Sequence, residues 1–281
     1  MKPSSGHQSA IRAKHRYGQN FLQDKNILRK IVASADIRRD TFVIEIGPGR
    51  GALTAFLLDA ANKVLAYEID RDLIPLLADK FKDARNLILV NEDVLEADIE
   101  ADIDKYFPQD AEIVMVSNLP YYVTTPILQK FLEETRRLRR LVVMTQLEVA
   151  RRLTSPPGTK DYNALSIAIA YRAVAKFLFK VPRTVFRPSP QVDSAVVSLE
   201  LVPGGRFYPK DERTFFQVVR GAFAQRRKTL ANNLLATFPD FDRAGIETLL
   251  NQVGLPLQTR AEAVKIESFV ALADAIHEQH V

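Results

Sequence analysis

The sequence predicts an α/β protein: a mostly parallel sheet with helices on both faces, followed by a small all-helical C-terminal unit. Three observations carry this. Short apolar strands alternate with helical segments between residues 42 and 148. The pattern changes after the loop SPPGTKDYNA at 155–164, and from Glu212 the apolar spacing is helical to the end.

Residues 1–16, rich in Ser, Gly and Lys/Arg, read as a flexible polar arm. Asp24 can cap a helix whose apolar positions are Ile27, Leu28, Ile31, Val32 and Ala35. FVIEIG (42–47) is a compact apolar strand ending in a glycine turn, and ALTAFLLDAA (52–61) is a helix. KVLAYEID (63–70), RDLIPLLADKF (71–81) and NLILVNED (86–93) repeat the alternation as strand, helix and strand. EIVMVSNLPYY (112–122) is a fourth strand entering an unusual turn, and LRRLVVMTQLE (138–148) is a fifth. ALSIAIAYRA then reads as a helix. AKFLFKV (175–181) and VDSAVVSLELV (192–202) are two late strands, the second alternating in parts as an edge or antiparallel strand does. PGG (203–205) breaks the chain before helical segments near 212–236, 242–253 and 260–279. The expected domains are a basic arm (1–16), an α/β domain (17–205) and a helical domain (206–281).

A chain of 281 residues with 47% hydrophobic residues can bury a sizeable core. The absence of cysteine excludes disulfides, thiolate metal sites and cysteine nucleophiles together. No metal is expected. Neither a signal core nor a bilayer-length apolar run is present, so a cytoplasmic location is expected. Lys and Arg number 39 against 34 Asp and Glu, a net +5 that leaves a nucleic-acid partner open without requiring one. The charge is clustered: Lys2, Arg12, Lys14 and Arg16 in the arm; Arg136, Arg137, Arg139 and Arg140; and Arg226, Arg227 and Lys228. Each cluster taken alone reads more readily as a solvated face.

The first strand ends in E-I-G-P-G-R-G, with glycines at 47, 49 and 51. Such a turn allows positive φ, and the helix after it offers free N–H groups to a ligand. Glu68, 21 residues beyond Gly47 at the end of the second strand, can accept both hydroxyls of a ribose. Asp93, just past the third strand, can accept from the amine of an adenine ring. Each feature alone is ordinary strand-end chemistry. The three in order along consecutive strands indicate a nucleoside cofactor, with NAD still open.

The fourth strand supplies the chemistry, ending S-N-L-P-Y-Y at 117–122. An adenine amine is a poor nucleophile because its lone pair is conjugated into the ring. Two acceptors gripping its hydrogens would turn that lone pair toward a methyl donor. Asn118 can offer a side-chain oxygen and Leu119 its backbone carbonyl, while Pro120 removes a competing N–H. Tyr121 can stack on a flipped-out base. A plain proline turn with a structural asparagine is the bland alternative. No strong base is needed, since the methylated ammonium product is acidic.

Taken together, IGPGRG with EID, NED and NLPYY resembles the ribosomal RNA adenine dimethyltransferase family, and its KsgA/RsmA branch in particular. HRYGQNFL (15–22), VFRPSPQVDSAVV (185–197), GAFAQRRKTLANNL (221–234) and TRAEAVKIESFVALADAI (259–276) extend the likeness over about residues 15–276. The resemblance implies a Rossmann-like class I fold and S-adenosylmethionine (SAM) as cofactor. It places Asn20, Phe21, Leu22, Gly47, Gly49, Glu68, Asp93 and Asn118 along SAM, with Phe186 facing Tyr121 across the target adenine. It further implies dimethylation of two adjacent adenosines near the 3′ end of 16S rRNA within an assembling small subunit, by a monomer. Where the family reads Q-K-E this chain has Gln146-Leu147-Glu148, and no role is carried onto Leu147. The Erm type, which methylates 23S rRNA, shares the sheet and the NLPY-like turn. The Q-R-R-K-T-L helix and the long helical C-terminus favour the small-subunit branch. A non-catalytic assembly factor is disfavoured by the intact Asn118–Tyr121 motif.

Overall fold

A computed structural model describes residues 20–280. The arm at 1–16 and all of the HRYGQ stretch (15–19) therefore lie outside the described residues. β1 (Phe21–Leu22) leads into α1 (Lys25–Ser34), whose N-cap is Asp24: its carboxylate accepts from the N–H groups of Asn26 and Ile27. The alternation then follows as β2 (Phe42–Ile46), α2 (Ala52–Ala60), β3 (Lys63–Tyr67), α3 (Leu73–Lys80) and β4 (Leu87–Val90). Next come α4 (Ile99–Tyr106), β5 (Ile113–Asn118), α5 (Thr124–Glu134), β6 (Leu138–Gln146), α6 (Leu147–Thr154) and α7 (Ala164–Arg172). β7 (Ala173–Val181), β8 (Phe186–Arg187) and β9 (Ser194–Leu201) end the α/β part. Four helices follow: α8 (Glu212–Ala222), α9 (Leu230–Thr237), α10 (Arg243–Gln252) and α11 (Ile266–His280).

The seven-stranded sheet runs β4-β3-β2-β5-β6-β9-β7. Its first five strands are parallel, and β9 is antiparallel to both β6 and β7. The late alternating strand is thus antiparallel but not an edge, since β7 takes the edge and leaves β9 buried on both faces. Strand alternation divides the core in two. Phe42, Ile44 and Ile46 face one layer with Leu128 and Phe131 of α5 and Ile103 of α4. Val43, Val64 and Val114 face the other, with Ile31 of α1 and Leu57 of α2.

Helices α4, α5 and α6 go beyond the alternation read from the sequence. The fifth strand also stops at Gln146, because Leu147 opens α6 and packs its side chain on the first core. The segment near 212–236 is two helices separated by a turn at 223–229, which puts Arg226, Arg227 and Lys228 in that turn rather than on a helix. The C-terminal helices bury Phe215, Leu234, Leu249 and Phe269 in a third core, which Tyr162, Ile167 and Tyr171 also join. The apolar contact of the helical part therefore reaches back across residue 205 into α7.

Three of the four arginines in the 136–140 cluster are consumed by the fold. Arg137 pairs with Asp104 at 3.1 Å, Arg139 with Glu112, and Arg140 with Glu200. These residues lie where β6 begins, on the sheet edge opposite the strand C-termini.

Candidate active site

In a parallel sheet, ligands bind beyond the strand C-termini where the chain order reverses. Here that point lies between β2 and β5, whose neighbours β3 and β6 lead away in opposite directions. The two strands pair from Phe42 to Ile44 and then part, and the Ser117 hydroxyl closes the gap by accepting from the Ile46 N–H. A cavity of about 1180 Å³ opens above it. That exceeds the roughly 300–1,000 Å³ of ordinary small-molecule pockets, and suits a cofactor together with a substrate group.

Of the cofactor residues expected from sequence, Asn20, Phe21, Leu22, Gly47, Gly49, Glu68, Asp93 and Asn118 all line this one cavity. Gly49 has φ +60°, and a Cβ there would lie 3.2 Å from the Phe21 ring, so the turn must be bare where β1 crosses it. α2 begins after Gly51 with no side-chain cap, leaving its first N–H groups directed to the cavity end of the helix. Glu68 is buried, and its two oxygens accept from the N–H of Gly49 at 3.0 Å and of Asp70 at 2.9 Å. Burial pushes its carboxyl above the usual range, while those two N–H groups pull it back. One carboxylate thereby fixes the glycine turn and keeps a lone pair on each oxygen. Asp93 spends Oδ1 on the Leu95 N–H at 3.0 Å.

Asn118, Leu119, Pro120 and Tyr121 line the same cavity. The Leu119 N–H donates to the Met144 carbonyl at 3.0 Å, which anchors the turn to β6. The Pro120 carbonyl accepts from the Val123 N–H and the Thr124 hydroxyl. Among the described residues nothing donates to the Leu119 carbonyl or holds the Asn118 amide, so both acceptors stay available. The Tyr121 hydroxyl and the Ser194 hydroxyl are 2.6 Å apart, which fixes the ring against β9.

Phe186 departs from expectation. Its ring is fully buried with Leu22, Val181 and Val196, and it does not line the cavity. The reason is strand alternation in the small β1–β8 ladder. Leu22 pairs with Phe186 and both pack in the core, where Leu22 still borders the cavity but Phe186 lies beneath it, whereas Phe21 pairs with Arg187 and both line the cavity.

Two further residues escaped the sequence reading. Lys80 donates its ammonium to the carbonyls of Arg50 at 2.7 Å and Gly51 at 2.9 Å, clamping the glycine turn from α3. Glu45 is only 1% exposed, lines the cavity, and has an oxygen without a hydrogen-bond partner. A charged residue inside the apolar run FVIEI was the available signal. An unpartnered buried polar oxygen beside the glycine turn leaves one hydrogen-bonding position open to a guest such as SAM. Burial pushes the Glu45 carboxyl up to about 8, reinforced by the charge of Glu68 and opposed by Lys80. In the unfolded chain the group titrates near 4.5, so between about pH 4.5 and 8 the native state holds a proton the unfolded state has lost. Stability should therefore fall with rising pH by about 1.4 kcal/mol per unit across that window and level off above it. Glu45→Gln should lose this slope. Urea titrations at pH 6 and 8 check it, and parallel pH dependences of wild type and variant would refute the burial argument.

A Rossmann-like sheet, a glycine turn closed by a strand-end carboxylate and an Asn-Leu-Pro-Tyr turn on one cavity define a SAM-dependent methyltransferase. The family model for ribosomal RNA adenine dimethylase matches residues 10–278. The chain belongs to that family, and so is an rRNA adenine dimethyltransferase that takes its methyl groups from SAM. It is 50% identical over 261 residues to the ribosomal RNA small subunit methyltransferase A of Geobacillus thermodenitrificans, covering 92% of this chain and 89% of that protein. It is 46% identical over 275 residues to the protein of the same name from Lactiplantibacillus plantarum, covering 97% and 93%. Among solved structures, the 23S rRNA methyltransferase ErmE aligns with a TM-score of 0.71 and 28% identity over 92% of this chain and all of that one. A dimethyladenosine transferase from Plasmodium falciparum aligns with a TM-score of 0.78 at 23% identity, over 92% and 98%, and so shares the fold.

Proposed function

We propose that this chain dimethylates the 6-amino groups of two adjacent adenosines near the 3′ end of small-subunit rRNA, on an assembling particle, as a cytoplasmic monomer. The observation that carries this is the pair of uncommitted acceptors, the Asn118 amide and the Leu119 carbonyl, beside Tyr121 on the cavity that holds Glu68 and Asp93. The names of the relatives near 50% identity support the small subunit as substrate, and the ErmE likeness supports only the shared catalytic fold. Among the described residues no helix is long and apolar enough to cross a membrane.

Glu68 takes the ribose hydroxyls and Asp93 the adenine amine of SAM. Gly47 and Gly49 would bring backbone close to it, Asn20 and Leu22 would contact it, and Phe21 would pack near its methionine part. When bound, SAM supplies an electrophilic methyl on a sulfonium that leaves as a neutral sulfide. Asn118 and Leu119 accept the two amino hydrogens of the target base and localise its lone pair, and Tyr121 stacks on the ring. Pro120 keeps the turn rigid and adds no N–H. The proton then leaves to water. For the second methyl, one acceptor suffices for the remaining hydrogen. Phe186 acts from the core, holding Leu22 in register. The helical part at 206–281, with Arg226, Arg227 and Lys228 exposed in its first turn, is the proposed RNA-recognition unit of a chain divided at 16 and 205.

The test offers purified protein and labelled SAM to immature small subunits, mature small subunits and large-subunit rRNA separately. Dimethyladenosine is expected mainly in the immature small subunits. Its appearance mainly in large-subunit RNA would install the Erm-type reading.

A further inference from the structure

We propose that Lys25, Arg29, Arg50 and Arg187 form a cationic rim at the cavity mouth that grips the RNA phosphates flanking the target nucleotide. The proposal rests on the RNA substrate read above and adds where the strand is held. All four side chains are exposed, and all four line the catalytic cavity. They come from three separate places in the chain: the first two turns of α1, the glycine turn and β8. Aromatic rings tie them together. The Arg50 guanidinium lies 4.6 Å from the centre of the Phe21 ring, Phe21 pairs in register with Arg187, and Arg29 lies 5.7 Å from the Phe56 ring. Lys25 and Arg29 are four residues apart and so share one face of α1.

The charges of Lys25, Arg29 and Arg187 are not neutralised. Arg29 donates to the Asn26 side-chain oxygen at 3.2 Å, and Arg187 to the carbonyl of Phe186 at 3.2 Å. Both acceptors are neutral. Among the described residues no carboxylate pairs with Lys25, Arg29 or Arg187, and neighbouring Asp24 uses its carboxylate to cap α1. The cavity acids Glu68, Glu92 and Asp93 all sit just past β3 and β4. A base delivered to Tyr121 brings its own phosphates to the mouth, where those acids would repel them. Cations at the rim offset that repulsion and contribute to the cost of unstacking the base, a few kcal/mol. Arginine beside a half-buried aromatic ring suits a single-stranded or splayed segment, since both ring and guanidinium can also take a stacked base.

The test is K25Q/R29Q, which leaves Phe21, Arg50 and the glycine turn untouched. Two lost phosphate contacts at about 0.7 each should flatten the slope of log affinity against log salt by about 1.4. Relative to 1 M salt, that amounts to about a 25-fold loss of RNA affinity at 0.1 M salt. The KM for RNA should rise while kcat at saturating RNA and the calorimetric Kd for SAM stay at wild-type values. The control K63Q/K105Q removes the same charge from the opposite edge of the sheet, where Lys63 begins β3 and reaches the Tyr106 carbonyl. It should leave the slope unchanged. An unchanged slope in K25Q/R29Q, or a weakened Kd for SAM, would overturn the rim as a phosphate site. A wild-type chain that binds no RNA at any salt would overturn the substrate reading and the rim together.

Discussion

Replacing Asn118 with alanine should lower the rate of methyl transfer by roughly 10²–10³, the usual cost of removing one preorganised polar group aimed at a transition state. The prediction rests on how the turn is held. The Leu119 N–H is tied to Met144 and the Pro120 carbonyl is spent on Val123 and Thr124, so the backbone should stay in place without the amide. What is lost is one of two acceptors for the amino hydrogens. The Leu119 carbonyl alone leaves the lone pair partly conjugated into the ring. SAM affinity should fall less than tenfold, because the ribose and adenine contacts assigned to Glu68 and Asp93 remain. Single-turnover methylation with labelled SAM measures the first quantity and calorimetry the second. Wild-type turnover by Asn118→Ala would remove this residue from the chemistry.

Glu68→Ala should weaken SAM binding by about two orders of magnitude. Hydrogen bonds to a charged acceptor contribute about 1.5–3 kcal/mol each, so two ribose bonds already exceed tenfold. The structure adds a second loss. The same carboxylate holds the N–H groups of Gly49 and Asp70, so its removal also frees the glycine turn against which the cofactor must rest. Glu68→Gln separates the two contributions. One of its polar atoms becomes a donor facing an N–H, so the variant should fall between wild type and alanine only if turn fixation matters. Calorimetric titration reads all three proteins, and an unchanged Kd in Glu68→Ala would end the ribose assignment.

By itself the sequence determined the alternation of strands and helices, the glycine turn, the strand-end acids Glu68 and Asp93, and the Asn118–Tyr121 turn. These are local facts. Side-chain period, chain-breaking residues and motif spacing are set by neighbours in sequence, so the sequence records them directly. The amphipathic helices α4, α5 and α6 were locally legible in principle, but they lie between motifs that attract more notice. Only the tertiary structure decided which pieces meet. Phe21 and Arg187, 166 positions apart, become register partners in β1 and β8, and that pairing turns Phe186 into the core instead of the cavity. The clamp of Lys80 on the carbonyls of Arg50 and Gly51, and the ion pairs that absorb Arg137, Arg139 and Arg140, likewise join residues far apart in the chain. The physical reason is common to all of them. A side chain's burial and partners depend on which element packs across from it, and contacts over long sequence separations leave no periodic mark in the chain that makes them.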